Sequence, residues 1–159
     1  MARIIECIPN FSEGRNKEVI EKIMDAVRGR EGVKLLDYSS DSDHNRTVVT
    51  FLGDPERVEE AILELAKRVY ENIDMSVHTG GHPRMGALDV VPFVPISEVT
   101  MEECIALANR VGKKIGEDFN IPVYLYEDAA KCADRQNLAN VRKGQYEGFF
   151  EKIKDKAWQ

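Results

Sequence analysis

The sequence predicts an α+β sandwich, a mixed β-sheet with helices packed outside it. Three observations predict this. Apolar residues recur at helical spacing in three separated stretches. Short runs rich in β-branched and apolar residues, bounded by turn residues, lie between them. Each helical stretch has one apolar face, which suits helices packed on a sheet whose other face needs its own cover. The order is strand, helix, strand, strand, helix, strand, helix, strand. It opens with βαββαβ, the split-βαβ arrangement of ferredoxin-like sandwiches.

Each element has a local reason. Arg3–Ile8 reads as a short strand ended by Pro9-Asn10. Asn16 is a natural N-cap for a helix carrying Val19, Ile20, Ile23, Met24 and Val27, with Gly29 and Gly32 marking its end. Val33–Tyr38 and Thr47–Leu52 are two strands joined by a polar turn, hence a hairpin. Asp54-Pro55 starts the next helix as cap and first residue. Val58, Ala61, Ile62, Leu65, Ala66 and Val69 form its buried stripe. Leu88–Val94 can be a strand, but Pro92 makes it an edge or an irregular one. Thr100-Met101-Glu102-Glu103 is a capping box for a helix with Cys104, Ala108, Val111 and Ile115 on one face. Ile121–Tyr126 reads as the last strand, and short helices are expected around Leu138–Val141 and Tyr146–Ile153.

Composition bounds the function. The chain has 159 residues, a length for one domain spanning 1–159. No apolar run approaches the roughly 20 residues of a membrane helix. MARIIECIPNF lacks the layout of a signal peptide, so a cytoplasmic protein is the expectation. A net charge of −6 argues against non-specific nucleic-acid binding, which needs a basic face. It leaves room for a small anionic substrate held by local arginines. Cys7, Cys104 and Cys132 are widely spaced and form no CxxC pair, so they read as small buried hydrophobes.

The most informative segment is His78-Thr79-Gly80-Gly81-His82-Pro83-Arg84-Met85-Gly86-Ala87. Its glycines allow close backbone approach to a ligand, and Pro83 restricts His82 to extended conformations. A ring that titrates near neutrality is thereby placed on a stiff turn beside Arg84. Three readings stand here. In the first, the glycines and prolines only build a turn around a surface histidine. His78 and His82 have metal-ligand spacing, with His44 or an Asp as a third ligand, but Gly80-Gly81 spoils the helix such a pair needs. Or His82 is a general acid/base. The turn Asp41–Arg46 has two readings, ordinary turn chemistry or carboxylates, an amide and an Arg that bind a polar ligand or orient a histidine; Arg46 opens a strand, where its planar fork can clamp a carboxylate. Pro9-Asn10-Phe11-Ser12-Glu13-Gly14 lacks a nucleotide-binding glycine pattern. Arg135, Arg142 and Lys143 make the tail locally basic, either as solvated surface or as a dock for an anionic partner.

ECIPNFSEGRN, DHNRTVVTF, DMSVHTGGHPRMGALDVVPFVP, PVYLYEDAA and RQNLANVRKGQYEG together resemble the N-terminal subdomain of the formiminotransferase family. The likeness is collinear from about Ile4 to the C-terminus, and HPRMGALDVVPF is long and unusual. The resemblance implies an α/β sandwich with a mixed sheet and external helices. It implies transfer of the formimino group of N-formimino-L-glutamate to tetrahydrofolate, a step of histidine degradation. The family's catalytic histidine falls on His82. Gly80, Gly81, Arg84, Met85 and Gly86 fall in the substrate-site wall, as do Asn10 and Arg46. Animal members often carry an Asp near position 39; here that residue is Ser39, and Asp41 and Asp43 are the nearby carboxylates. We take Asp41 as the substrate-site candidate.

Family members bind the folate between two subdomains, and this chain stops about where the first would end. The resemblance therefore implies a missing C-terminal subdomain, or a homo-oligomeric partner, that completes the site. The co-substrate is tetrahydrofolate, and no metal is required. Two alternatives remain on these residues: formyl transfer from N-formylglutamate, and a non-catalytic folate-binding half-module.

Overall fold

The computed structural model describes residues 2–80, 86–130 and 138–142. Strands β1 (Ile4–Cys7) and β2 (Asn10–Phe11) lead into helix α1 (Lys17–Met24). The hairpin β3 (Val33–Asp41) and β4 (Arg46–Gly53) precedes α2 (Pro55–Asn72) and a 3-10 turn at Met75–Val77. Strands β5 (Leu88–Val90) and β6 (Phe93–Ser97), helix α3 (Met101–Phe119), a 3-10 turn at Glu127–Ala129 and the short helix α4 (Leu138–Arg142) follow. The second predicted tail helix, Cys132, Arg135 and Lys143 lie outside the described residues.

The α+β sandwich forms as expected. β3 pairs one side of β4, and β1 and β2 lie in tandem along its other side. β6 and β5 lie in tandem along β1 and β2. The two tandem breaks fall at the same level, since the Ile8 N–H reaches the Pro92 carbonyl at 3.3 Å. The expected mixed pairing does not occur: every ladder among the described residues is antiparallel. The reason is topological. Each β–α–β crossover skips one strand, so the parallel strands it joins are never neighbours.

The caps act as read. The Asn16 side chain accepts from the Glu18 and Val19 N–H groups, and Asp54 accepts from Glu56. Thr100 accepts from the Glu103 N–H at 3.2 Å, but the Glu103 carboxylate takes a hydrogen bond from Arg3 rather than closing the box. α1 stops at Met24, yet Val27 remains fully buried in the turn beyond it.

Strand β4 shows the layering most clearly. Thr47, Val49 and Phe51 are buried, while the residues between them are partly exposed. Val49 and Phe51 meet Ile23 and Met24 of α1 and the predicted stripe of α2 in one core. α3 adds Cys104, Leu107, Val111 and Ile115. Leu107 replaces Ala108 in the buried face; Ala108 is partly exposed and lines the large cavity beside α3. On the opposite face of the sheet, Val94 and Ile96 are exposed. Among the described residues no helix is long and apolar enough to cross a membrane.

One predicted strand is absent. Residues 121–126 run as irregular chain against α3. Pro122 lacks an N–H for a ladder. Gly112 and Gly116, one turn apart on α3, leave a shallow track in which a Cβ at Gly112 would lie 3.2 Å from Val123. The segment packs on the helix instead of extending the sheet.

Phe51 sits at the centre of this arrangement and is fully buried. Phe51→Ala is expected to cost about 3–5 kcal/mol in urea unfolding, whereas Ile96→Ala on the open face should stay within about 1 kcal/mol.

Candidate functional site

The polar groups converge where the β3–β4 turn meets the segment after β2 and the segment after α2. Asp41 ends β3, and one of its carboxylate oxygens accepts the N–H groups of Asp43 (2.9 Å) and His44 (3.2 Å). The other lies 2.6 Å from His44 Nδ1. A carboxylate oxygen of this kind accepts, so His44 Nδ1 carries the hydrogen. The His44 side chain, then the backbone N–H groups, hold the Asp41 carboxyl below its ordinary range.

Asn45 follows with φ +54°, a left-handed conformation that Asn tolerates better than most residues. Its side chain is almost wholly used. Oδ1 accepts the Gly14 N–H at 2.9 Å, and Nδ2 donates to the Thr79 carbonyl at 2.9 Å. Its own carbonyl accepts from His78 Nε2 at 3.0 Å. Three chain segments therefore meet on one residue. Glycine is needed at both contacts beside it. A Cβ on Gly14 would collide with the Asp41 carbonyl and the Arg46 backbone, and one on Gly80 with the His44 carbonyl.

Further bonds lace the same corner. Arg15 donates to the Ser42 carbonyl (2.7 Å) and to Thr79 Oγ1 (3.2 Å). Thr47 Oγ1 donates to the Glu13 carbonyl at 2.6 Å, so Ser40, 2.8 Å away, is the donor in their pair. Ser12 donates its N–H to the Ala87 carbonyl and its hydroxyl to the Gly86 carbonyl, both at 2.8 Å. The Gly86 N–H donates to Asp89 at 3.1 Å.

Asn10, Phe11, Ser12, His44, Asn45, Arg46, His78 and Asp89 line a cleft of about 10 Å³, space for one water. A far larger cavity, about 540 Å³, lies between α3, the β5–β6 edge and residues 121–127. Its wall is mostly apolar, so the small cleft is where acid–base groups gather. Asp89 borders both.

Asp89 is the partner of a residue read as surface. Arg142 on α4 reaches it through Nε at 2.9 Å and Nη2 at 2.7 Å. Their side chains are only 4% and 17% exposed, so Arg142 is neither solvated surface nor an open anion dock. Asp89 also faces buried phenols. Burial, then the Asp89 charge, pushes the Tyr70 phenol well up. Burial pushes Tyr126 up to about 12, with Arg142 pulling the other way.

Of the predicted site residues, Asn10 and Arg46 line the cleft. Among the described residues neither side chain forms an ion pair or a hydrogen bond. Asp41 has both oxygens engaged within the turn. Gly80 packs on the turn and Gly86 binds Ser12 and Asp89. Gly81, His82, Arg84 and Met85 lie outside the described residues, as does the His78–His82 metal spacing. Ser12, Arg15, Asn45 and Asp89 are additions. Asp89 has a visible signal, a single acid inside the apolar run Ala87–Val91. The others look like ordinary turn residues in sequence.

The family model for the formiminotransferase domain, N-terminal subdomain, matches residues 4–159. The chain belongs to the formiminotransferase family. A glutamate formimidoyltransferase of Streptococcus pyogenes serotype M1 is 52% identical over 158 residues, covering 99% of this chain and 53% of the relative. A formimidoyltransferase-cyclodeaminase of Sus scrofa is 51% identical, covering 99% of this chain and 29% of its own. A glutamate formimidoyltransferase of Thermoplasma acidophilum is 46% identical, covering 98% and 52%. The chain thus spans about half the length of the two shorter relatives.

Two outcomes follow for its stability. Asn45→Ala loses the hydrogen bonds and strains the left-handed backbone, an expected cost of about 2–4 kcal/mol in urea unfolding; Asn45→Gly, free of the strain, should cost about 1–2 kcal/mol less. In alkali the unfolded chain ionises Tyr126 near pH ~10, before the folded chain does, so the folded state holds the extra proton. Stability should fall from about pH 10 towards about 12, and Tyr126→Phe should flatten that fall in a denaturation series.

Proposed function

We propose that this chain is the half of a glutamate formiminotransferase that carries the acid–base machinery. The reaction would move the formimino group of N-formimino-L-glutamate to N5 of tetrahydrofolate. The observation that carries this reading is the state of the cleft. Most polar groups around it are spent on building it, while Arg46 and Asn10 line it with their side chains uncommitted among the described residues. A guanidinium kept in that way suits a substrate that bears carboxylates, whatever the chain's overall negative charge. Family membership and relatives named glutamate formimidoyltransferase supply the reaction type.

In this reading His82 is the general acid/base. It follows Gly80 by two residues, and Gly80 is packed against the turn of the cleft. Its imidazole takes the proton that the attacking nitrogen must lose. Gly81, Arg84, Met85 and Gly86 form the substrate wall, with Arg84 a second carboxylate contact. Holding both substrates together supplies the rest of the acceleration. Imidazole chemistry accounts for the proton transfers, and the reading assigns no metal. It goes with a cytoplasmic protein of histidine degradation.

A half-module that binds folate without turnover is the second reading, favoured by the chain spanning about half of its shorter relatives. Both are tested by one assay of transfer from formiminoglutamate to tetrahydrofolate, with the chain alone and with a C-terminal subdomain supplied. His82→Ala should lower kcat by about 10²–10⁴-fold with the fold intact by circular dichroism. Arg46→Ala should raise KM for formiminoglutamate by about 10–100-fold, the worth of a charged hydrogen bond, and Arg46→Lys should recover only part of it. Folate binding without turnover, unmoved by His82→Ala, would select the half-module instead.

A further inference from the structure

We propose that Asp89, held by Arg142, is a positioning residue for His82: the pair fixes the downstream anchor of the segment that carries the acid/base. The inference rests on the formimino-transfer reading above. Segment 81–85 lies between two anchored points. Upstream, the His78 ring, the Thr79 carbonyl and the Gly80 backbone all engage the β3–β4 turn. Downstream, Gly86 is held at both of its polar groups. Its carbonyl accepts from Ser12 Oγ at 2.8 Å, and its N–H donates to Asp89 Oδ1 at 3.1 Å. So short a stretch of chain passes a displacement of its anchor on to His82.

The Asp89 carboxylate divides its oxygens between two tasks. Oδ1 serves Gly86, and Oδ2 takes Arg142 Nε at 2.9 Å and Nη2 at 2.7 Å. Both side chains are largely withdrawn from water. A buried ion pair is a poor way to gain stability, because desolvating two charges offsets their attraction. A well-packed apolar pair of similar volume stabilises as well or better. The surroundings suit one: Ala87, Leu88, Val90 and Val91 flank Asp89, and they line the large apolar cavity with it. What an apolar pair cannot do is accept the Gly86 N–H at a fixed point. Two guanidinium nitrogens on Oδ2 set where the carboxylate stands, and so where Oδ1 meets Gly86.

The reaction gives this precision a use. An imidazole that takes a proton from the attacking nitrogen must stand within hydrogen-bond reach of it. A misplacement of about 1 Å can cost on the order of 100-fold in rate. Asp89 in this role exchanges no proton and touches no substrate. It acts through the placement of His82, so its effect falls on kcat. Arg46, the carboxylate contact of the reading, opens β4 and lies outside this anchor, which leaves KM nearly unmoved. The pair also brings the tail into the mechanism, since Arg142 reaches Asp89 from α4.

The test is the transfer assay with a C-terminal subdomain supplied, on two double variants. Asp89→Leu with Arg142→Met removes the acceptor and both charges. This apolar pair should melt within about 5 °C of the unaltered protein. It should nevertheless lower kcat at least about 30-fold, with KM for formiminoglutamate shifted less than about threefold. Asp89→Asn with Arg142→Gln keeps an amide oxygen for the Gly86 N–H and should stay within about fivefold in kcat. A second readout needs no activity, the rate of trypsin cleavage after Arg84 under native conditions. The apolar pair should raise it about tenfold or more, and the amide pair less than about threefold. An apolar pair within about threefold of the unaltered kcat overturns the proposal, and so does an amide pair as slow as the apolar one. Loss of the fold by the apolar pair overturns it too, since the ion pair would then be structural. Equal cleavage after Arg84 in all three proteins overturns the anchor itself, with or without transfer. If the unaltered protein transfers no formimino group, the reading of its function has failed and the role towards His82 falls with it, even where the cleavage rates differ.

Discussion

The Asn45 side chain is the constraint on which the site's arrangement depends. One amide group reaches Gly14 and Thr79, while the adjoining carbonyl takes His78. These contacts draw together segments that lie more than thirty residues apart in sequence. Asn45 makes all three contacts from a left-handed backbone. Gly14 and Gly80 are the necessary complements, since a side chain at either would push its segment off the turn. A single conformational choice in the hairpin thereby sets the floor of the cleft.

The cleft separates polar groups that build from polar groups that wait. Ser12, Thr47, Asn45 and Arg15 each complete a bond to a neighbouring segment. Asp89 does the same between β5 and α4, where its buried pairing with Arg142 connects the tail to the strand that follows Gly86. Removing one member of such a buried pair leaves the other charge without compensation, which ties the two elements firmly. Arg46 and Asn10 stand apart from this scaffolding, and they flank the histidine that Asp41 orients.

Much of the fold was legible because its signals are local. Asn16, Asp54 and Thr100 are caps by side-chain chemistry alone, and the α2 stripe from Val58 to Val69 repeats at an unambiguous spacing. Ile121–Tyr126 misled because β-branched and aromatic residues suit a half-buried surface of any kind, and here that surface is the glycine track of α3. Antiparallel pairing was not legible either, since it depends on which strand a crossover skips. At the site, Arg46 and Asn10 could be picked out from strand position and family likeness. Asn45 could not, because an Asn in a turn has a sufficient local explanation and its long-range contacts leave no pattern in the neighbouring residues. The same holds for Arg142, whose partner lies 53 positions away.

The two outer strands of the sheet have a consequence for how this polypeptide behaves in a crowded solution. On one side, the β5–β6 line is interrupted at Pro92 and carries Pro95, neither of which can donate a backbone hydrogen. On the other, β3 slips register between Leu35 and Asp37 and presents Lys34, Asp37 and Asp41 along its length. Neither border offers a smooth row of amides and carbonyls to a foreign strand. The sheet is therefore self-limiting, and its copies should resist the end-to-end stitching that leads to fibrils.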